Sequence, residues 1–268
     1  MSELAAWVEG IALIGPGLPG WAAARPVLAG EARLVVAATE VPKLTVLPPA
    51  ERRRVGPVVR LALATGLAAC EAAGADPSTL PTVFCSAGGD GANCHAICET
   101  LASDDRLISP IRFHNSVNNA ASGYWGIATG AMAPSAIVAA FDGSFAMGLL
   151  EALAQLASSL EAGERLLLIS HDVPYPAPLN AARPMLDACG IGLVLARHRT
   201  DRAVARLVAH LTDNAAPGTL AEPLESIRLG TPTGRALPLM RALAIGAGGD
   251  CVLEIHESLS LSVTAVPT

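Results

Sequence analysis

Asp142 is the residue of this sequence whose setting most resembles that of a reactive group. It stands in Pro134-Ser-Ala-Ile-Val-Ala-Ala-Phe-Asp-Gly-Ser-Phe-Ala-Met-Gly148, where an apolar strand gives way to a long apolar helix. Enzymes built from alternating strands and helices often seat a nucleophile at such a corner. Three roles are open to the carboxylate. It could cap the helix, where orphan N–H groups and the dipole stabilise a negative charge by roughly 0.3–2 kcal/mol. It could wall a bound ligand, or it could attack as an aspartyl nucleophile, for which no nearby acid or base is evident in the sequence. Ser144 lies two residues further on, inside the first helical turn, a poorer place for a nucleophile than the corner itself.

A second polar cluster precedes the corner. Phe113-His-Asn-Ser-Val-Asn-Asn119 supplies several hydrogen-bonding side chains at an expected helix start, which could cap backbone donors, line a polar pocket or meet a partner. His114, Asn115 and Asn118 are its candidates, and Tyr124 and Trp125 are expected to be buried. Cys94-His-Ala-Ile-Cys98 puts two thiols on one helix face but turns His95 away, so core thiols fit better than zinc and no metal site is expected. Gly88-Gly-Asp-Gly91 lacks both the last glycine of a dinucleotide loop and a following Lys-Ser/Thr pair, so it reads as a tight turn. Arg52-Arg53-Arg54 is either a solvated helix start or a contact for an acidic carrier protein.

The elements that must position these residues follow from hydrophobic period and Pro/Gly punctuation. Strands are expected at Trp7–Gly15, Thr82–Ala87, Ser135–Phe141 and Arg165–Ser170. Helices are expected at Ala22–Leu28, at Ala50–Gly74 (with Gly56-Pro57 as a kink or the true start), from Gly91 to Ala102, at Asn115–Gly130 and at Gly143–Leu160. Beyond a proline-rich connector (Pro174 to Pro184), the one candidate seam, come strands at Gly190–Ala196 and Ala203–Leu211. A helix near Arg235–Ile245 and a hairpin of Cys251–Ile255 with Leu259–Ala265 close the chain. Alternating strands and helices up to residue 170 indicate a parallel or mixed sheet with helices on its faces, an α/β architecture.

Composition narrows the function. Of 268 residues 51% are hydrophobic, only 16% are charged and 3% are aromatic, so small side chains pack closely and an extensive subunit interface is expected. The net charge of −6 argues against nucleic acid. No apolar run reaches the roughly 18 residues of a membrane span, and Met-Ser-Glu-Leu-Ala-Ala-Trp shows no signal peptide. Six scattered cysteines fit a reduced, cytoplasmic protein.

These residues together resemble the thiolase superfamily. The likeness is nearest to the β-ketoacyl-synthase-like chain-length-factor proteins found beside ketosynthases in bacterial aryl-polyene and xanthomonadin-type pathways. It is carried by Trp7-Val-Glu-Gly-Ile, Gly15-Pro-Gly-Leu-Pro-Gly20, Arg52-Arg-Arg, Val83-Phe-Cys-Ser-Ala-Gly-Gly-Asp, and above all Ser109-Pro-Ile-Arg-Phe-His-Asn-Ser-Val-Asn-Asn-Ala-Ala-Ser-Gly-Tyr-Trp125. Ser144-Phe-Ala-Met-Gly-Leu-Leu-Glu-Ala and Pro174-Tyr-Pro-Ala-Pro-Leu complete it, and coverage runs from about residue 5 to 195. The resemblance implies a layered α-β-α fold with a mixed sheet and a truncated second half. Residues 1–180 would match a ketosynthase N-terminal half, and 181–268 a shortened C-terminal half on the same core.

Ketosynthases of this superfamily use an elbow cysteine and two histidines from the second half. The resemblance places Asp142 at the cysteine position. No His-Gly-Thr-Gly-Thr motif occurs, and Leu229-Gly-Thr-Pro-Thr233 is at best a decayed remnant of it. The implied role is that of a non-catalytic subunit without cofactor, paired with a full-length ketosynthase and meeting an acyl carrier protein through the complex. Phe113, Phe141 and Phe145 would wall an acyl tunnel, and Ala139, Ala140 and Gly143 would leave it room. The family pattern often has His where Asn118 stands, which leaves that position's role open. Two other readings remain: a stand-alone acyl-transfer or hydrolytic enzyme using Asp142, Ser144 or a thiol, and a homodimer that binds a lipid-like ligand.

Overall fold

The computed structural model describes residues 4–158, 164–213 and 220–268. The elements begin with β1 (Leu4–Ile14), α1 (Trp21–Leu28), α2 (Pro49–Arg52), α3 (Pro57–Ala73) and β2 (Thr82–Cys85). They continue through α4 (Gly91–Ala102), α5 (Pro110–His114), α6 (Ala120–Thr129), β3 (Ser135–Val138), a 3-10 turn at Phe141–Gly143, α7 (Ser144–Ala157) and β4 (Arg165–Asp172). Then come α8 (Leu179–Ala182), β5 (Cys189–Ala196), β6 (Ala205–Thr212), α9 (Leu224–Gly230), a 3-10 turn at Thr233–Ala236, α10 (Leu237–Ile245), β7 (Gly249–His256) and β8 (Leu259–Pro267). Leu160, expected to end α7, lies outside the described residues, as does residue 214–219 of the polar stretch after β6.

One mixed sheet of eight strands runs in the order β3-β2-β4-β5-β1-β6-β8-β7. β2 is parallel to β3 and β4, and every other pairing is antiparallel. β4 and β5 pair from Arg165↔Ala196 to Asp172↔Cys189, so the proline-rich connector joins adjacent strands of a single sheet. Strands from either side of residue 180 therefore share one set of ladders.

Both faces are covered, which is why the central strands are apolar on both sides rather than alternating with polar residues. On one face Leu166 and Leu168 of β4 and Ile191 and Leu193 of β5 join Leu149 and Leu153 of α7 and Leu237 and Met240 of α10. On the other, Leu167, Ile169 and Phe84 meet Leu61 and Leu63 of α3 and Tyr124 and Trp125 of α6. The abundance of alanine and glycine has a direct cause here. α3 lies so close to the sheet that a Cβ on Gly10 would stand 2.3 Å from the Ala69 carbonyl oxygen. Substituting any larger residue at Gly10 would lever the helix away from β1.

The Gly56-Pro57 punctuation marks the true start of α3, with proline in its first turn, and Gly74 ends it in the left-handed conformation at φ 58°. Two expectations need correction. Asn115–Gly130 is not one helix: α5 ends at His114, α6 begins at Ala120, and Asn115–Asn119 bridge them. The Asn115 side chain, which could have capped a helix, is drawn into longer-range hydrogen bonds. The strand expected to reach Phe141 stops at Val138, because the backbone must turn sharply into α7.

Candidate functional site

The turn between β3 and α7 is built around a strained residue. Phe141 has φ 53°, the one positive-φ residue other than glycine among those described, a conformation that costs on the order of 1–3 kcal/mol. Ser144 fastens the turn: its hydroxyl donates to the Phe141 carbonyl at 2.7 Å and accepts from the Ala140 N–H at 2.9 Å. With both capacities used and the side chain buried, Ser144 is a structural clasp.

Asp142 does not cap α7. No side-chain cap bond forms at either the turn or the helix. Its carboxylate instead accepts from Arg183 Nη2 at 3.0 Å and lies 3.5 Å from Arg235 Nη2. Two guanidiniums give the charge a better partner than orphan N–H groups would, although each pair, being partly exposed, is worth only about 1 kcal/mol. The Arg183 guanidinium carbon also lies 3.3 Å from the Phe141 ring centroid, covering the strained residue. These two arginines were absent from the sequence-based candidates, because nothing local to residue 142 announces them.

The same corner lines a cleft of about 430 Å³. Phe141 and Asp142 form one side, Arg183 and Met185 the floor of the connector, and Leu229, Gly230, Thr231 and Pro232 the far side. The Leu229–Thr233 motif is thus brought against the turn. It is held from beneath by Asp172 at the end of β4, which accepts from the Thr233 N–H at 3.0 Å and the Thr233 hydroxyl at 2.7 Å. Asp172 also accepts from the Ser86 hydroxyl at 3.0 Å and the Ala87 N–H at 2.8 Å beyond β2. Burial pushes the Asp172 carboxyl above the usual range, against the pull of these four donors. The Thr233 hydroxyl also lies 2.8 Å from that of Ser170.

Gly143 is not a vacancy left for an acyl chain. A Cβ there would stand 2.2 Å from the Ile255 carbonyl oxygen, so β7 backbone fills the space. Phe145, expected as a tunnel wall, is enclosed by the core, the second residue of α7 already being packed against the sheet. Ala139 is exposed and Ala140 half-buried.

The second cluster is split. Asn115 is buried, donating to the Arg54 carbonyl at 3.0 Å and accepting from the Tyr124 hydroxyl at 3.1 Å. His114 is exposed and meets the Tyr124 ring edge-on at a centroid distance of 6.2 Å. Asn118 is exposed, and Phe113 is 68% exposed. The Gly88–Gly91 turn seats the Tyr175 ring, and its Asp90 caps α4 by accepting from Asn93 N–H at 2.9 Å. Cys94 and Cys98 are exposed on α4, with His95 paired instead to Glu99 at 3.3 Å. No cluster of three or more potential metal ligands occurs among the described residues.

Next to Asp172, His171 is buried with its ring edge-on to Phe84, and burial pushes its pKa down to about 4. An unfolded histidine titrates near 6.5. The stability this residue contributes is therefore complete above about pH 6.5 and is lost as pH falls towards 4. Between pH 7.5 and 5 the histidine should account for a loss of about 2 kcal/mol in urea unfolding. Asp172, with its pKa raised, acts in the opposite sense and favours the fold as it takes up its proton. The measurement is therefore the difference between the wild type and His171→Gln. The variant should lack this acid limb.

Comparison with known proteins places the fold. A model of the β-ketoacyl synthase N-terminal domain matches residues 27–228, and the chain belongs to that family. None of the curated proteins matches it significantly. Among solved structures, the ketosynthase ApeO in complex with its chain length factor ApeC from Xenorhabdus doucetiae aligns with a TM-score of 0.73 at 19% identity, over 97% of this chain and 99% of that one. The ishigamide ketosynthase/chain length factor aligns at 0.73 and 14% identity, over 98% and 99%. AntDE:AntF, a type II polyketide synthase acyl-carrier protein in complex with its ketosynthase bound to the hexaketide, aligns at 0.74 and 9% identity, over the whole of both chains. The mixed sheet with helices on both faces is thus the thiolase-like ketosynthase fold.

Proposed function

We propose that this chain is a non-catalytic, chain-length-factor-like subunit that pairs with a full ketosynthase during carrier-bound acyl elongation of the aryl-polyene type. The observation that carries the reading is the chemistry of the corner. Asp142, at the position the resemblance gives to the nucleophilic cysteine, is neutralised between Arg183 and Arg235. The cleft beside it is lined by neither thiol nor imidazole. If Leu229–Thr233 is the remnant of the family's histidine motif that the resemblance implies, leucine stands in place of its histidine. A carboxylate paired with two guanidiniums braces the turn and is a weakened nucleophile towards an acyl group. On this reading residues 1–180 correspond to the ketosynthase N-terminal half and 181–268 to a shortened back half on the same core.

A surface suited to the partner lies at the sheet edge. β3 pairs with β2 alone among the described strands. Phe113, Val117, Ile127, Met132 and Phe141 are all more than half exposed, and Met132 reaches 94%. An open edge strand accompanied by exposed apolar side chains is a template for pairing with another chain. Phe113 and Phe141 then meet the partner and bound the tunnel near the interface, with the exposed His114 and Asn118 at its margin and the buried Asn115 bracing them from within. The enzyme alternative finds no support at Ser144, whose hydroxyl is committed within the turn.

Co-expression with a ketosynthase encoded beside it should yield a stable 1:1 complex by size-exclusion chromatography with light scattering. The Pro134 and Val138 carbonyls accept from the Thr82 and Ser86 N–H groups of the β2 side, so Ile137, between them, points its N–H outward. Ile137→Pro removes that donor while sparing the β2 ladder, and should weaken pairing by more than about tenfold. A wild-type chain that stays apart from the ketosynthase would sink the proposal.

A further inference from the structure

The six cysteines fall into two classes. Cys70, Cys85, Cys189 and Cys251 are buried. Burial pushes the thiols of Cys70, Cys85 and Cys251 up to about 12 and raises that of Cys189 as well. Such groups behave as small, inert core residues. Cys94 and Cys98 depart from the expectation of core thiols, for both are exposed and both lie on α4.

Their spacing decides what can join them. Side chains four residues apart share a helix face, with Cβ atoms about 5–6 Å apart. A disulfide needs Cβ atoms within about 3.5–4.5 Å, so a direct sulfur–sulfur bond would require the turn to unwind. That turn is secured at both ends. Asp90 accepts from the Asn93 N–H at 2.9 Å, and the Thr100 hydroxyl donates to the Ala96 carbonyl at 2.9 Å. A single bridging atom, with two sulfur bonds of about 2.3 Å, spans the gap on an intact helix.

The donor set then selects the bridge. His95, the remaining soft donor of the turn, pairs with Glu99 at 3.3 Å. No group of three or more potential ligands occurs among the described residues, so the site offers two sulfurs alone. Zinc takes four ligands in such structural sites. A soft monovalent ion such as copper(I) prefers thiolates and is satisfied by two of them in line.

We propose that Cys94 and Cys98 form a two-coordinate site on α4 for a soft monovalent metal ion of the copper(I) type. Binding breaks two S–H bonds and forms two metal–sulfur bonds; both protons pass to solvent and no electron is transferred. Burial, Asp90 and Cys98 hold the Cys94 thiol above its ordinary value, so it is as a thiol that Cys94 meets the ion. The bridge would staple a helix whose buried residues are only Gly91 and Asn93. Asn93 in turn holds α5, its side-chain amide donating to the Arg112 carbonyl at 2.7 Å. The site uses neither the edge strand β3 nor the cleft at Asp142, and its test uses this chain alone. It therefore stands or falls separately from the pairing with a ketosynthase.

The probe is copper(I) itself, titrated without oxygen into the reduced full chain in competition with a chromophoric chelator, bathocuproine disulfonate. One ion per chain should be retained, and Cys94→Ser and Cys98→Ser should each weaken retention at least tenfold. His95→Ala should stay within about twofold of wild type, because its imidazole is no ligand. Iodoacetamide followed by peptide mapping should label Cys94 and Cys98 in the metal-free chain and spare both in the loaded one. Amide exchange should slow across α4 on loading and stay unchanged across α3. Undiminished retention in either serine variant, a tenfold loss in His95→Ala, or equal protection of the thiols by zinc would each overturn the assignment. So would ready formation of a Cys94–Cys98 disulfide with amide protection of α4 intact.

Discussion

Asp172→Ala is expected to lower unfolding stability by about 3–5 kcal/mol, as removal of one partner from a buried charged network does. Its carboxylate is the common acceptor for Ser86, Ala87 and both donors of Thr233. Without it, two backbone N–H groups and two hydroxyls lose their acceptor, in a place closed to solvent. The loss is also directional. The acceptor ties the end of β2, the end of β4 and the 231–233 segment into one unit, so the far side of the cleft should loosen first. Asp172→Asn keeps an acceptor oxygen and should lose less than the alanine variant. Urea unfolding gives the magnitude, and amide exchange at Thr233 reports the local loosening. Equal stability for the wild type and both variants would show that the network contributes nothing.

Gly143→Val is expected to be at least as damaging. A Cβ at this position meets the Ile255 carbonyl oxygen, Cα and carbonyl carbon at 2.2, 2.7 and 2.8 Å, and these are backbone atoms that no rotamer change can move aside. Either β7 leaves the turn or the turn opens. Overpacking of well-packed sites typically costs about 1–3 kcal/mol and rises when backbone must shift. The expected result is a fall in the thermal midpoint of several degrees or more, with aggregation on expression. Gly143→Ala introduces the same Cβ and should fall in the same direction. A fully stable Gly143→Ala would mean that the contact with Ile255 is looser than described.

These two positions illustrate what the sequence could and could not disclose. The strand-helix order was legible because Pro and Gly punctuate it: Gly56-Pro57 and Gly74 delimit α3, and the His256–Ser258 interval marks the closing hairpin. Apolar runs of four or more residues identified the doubly covered strands, and Tyr124 and Trp125 are buried as their setting implied. The corner at Asp142 stood out for the same local reason. Its chemistry did not, because that depends on Arg183, 41 residues on, and on Arg235. A local rule offered a helix cap, and two distant guanidiniums displaced it. Asn115 repeats the pattern: its side chain serves Arg54 and Tyr124, so the helix predicted to start there begins five residues later. Gly143 read as open space because a sequence gives the size of a side chain and not what approaches it.

The strand order has a consequence for how the chain comes to be folded. β1, made first, finds its neighbours only in β5 and β6, at residues 189–196 and 205–209. At roughly 5–20 residues per second on the ribosome, those neighbours emerge about 10–40 s later. During that interval an apolar segment rich in Val, Ile and Leu waits without a ladder, and such delayed long-range pairing is slow and prone to aggregation. Slower growth at reduced temperature, or a chaperone that shields the nascent segment, should therefore raise the soluble yield more than any change made near the C-terminal hairpin.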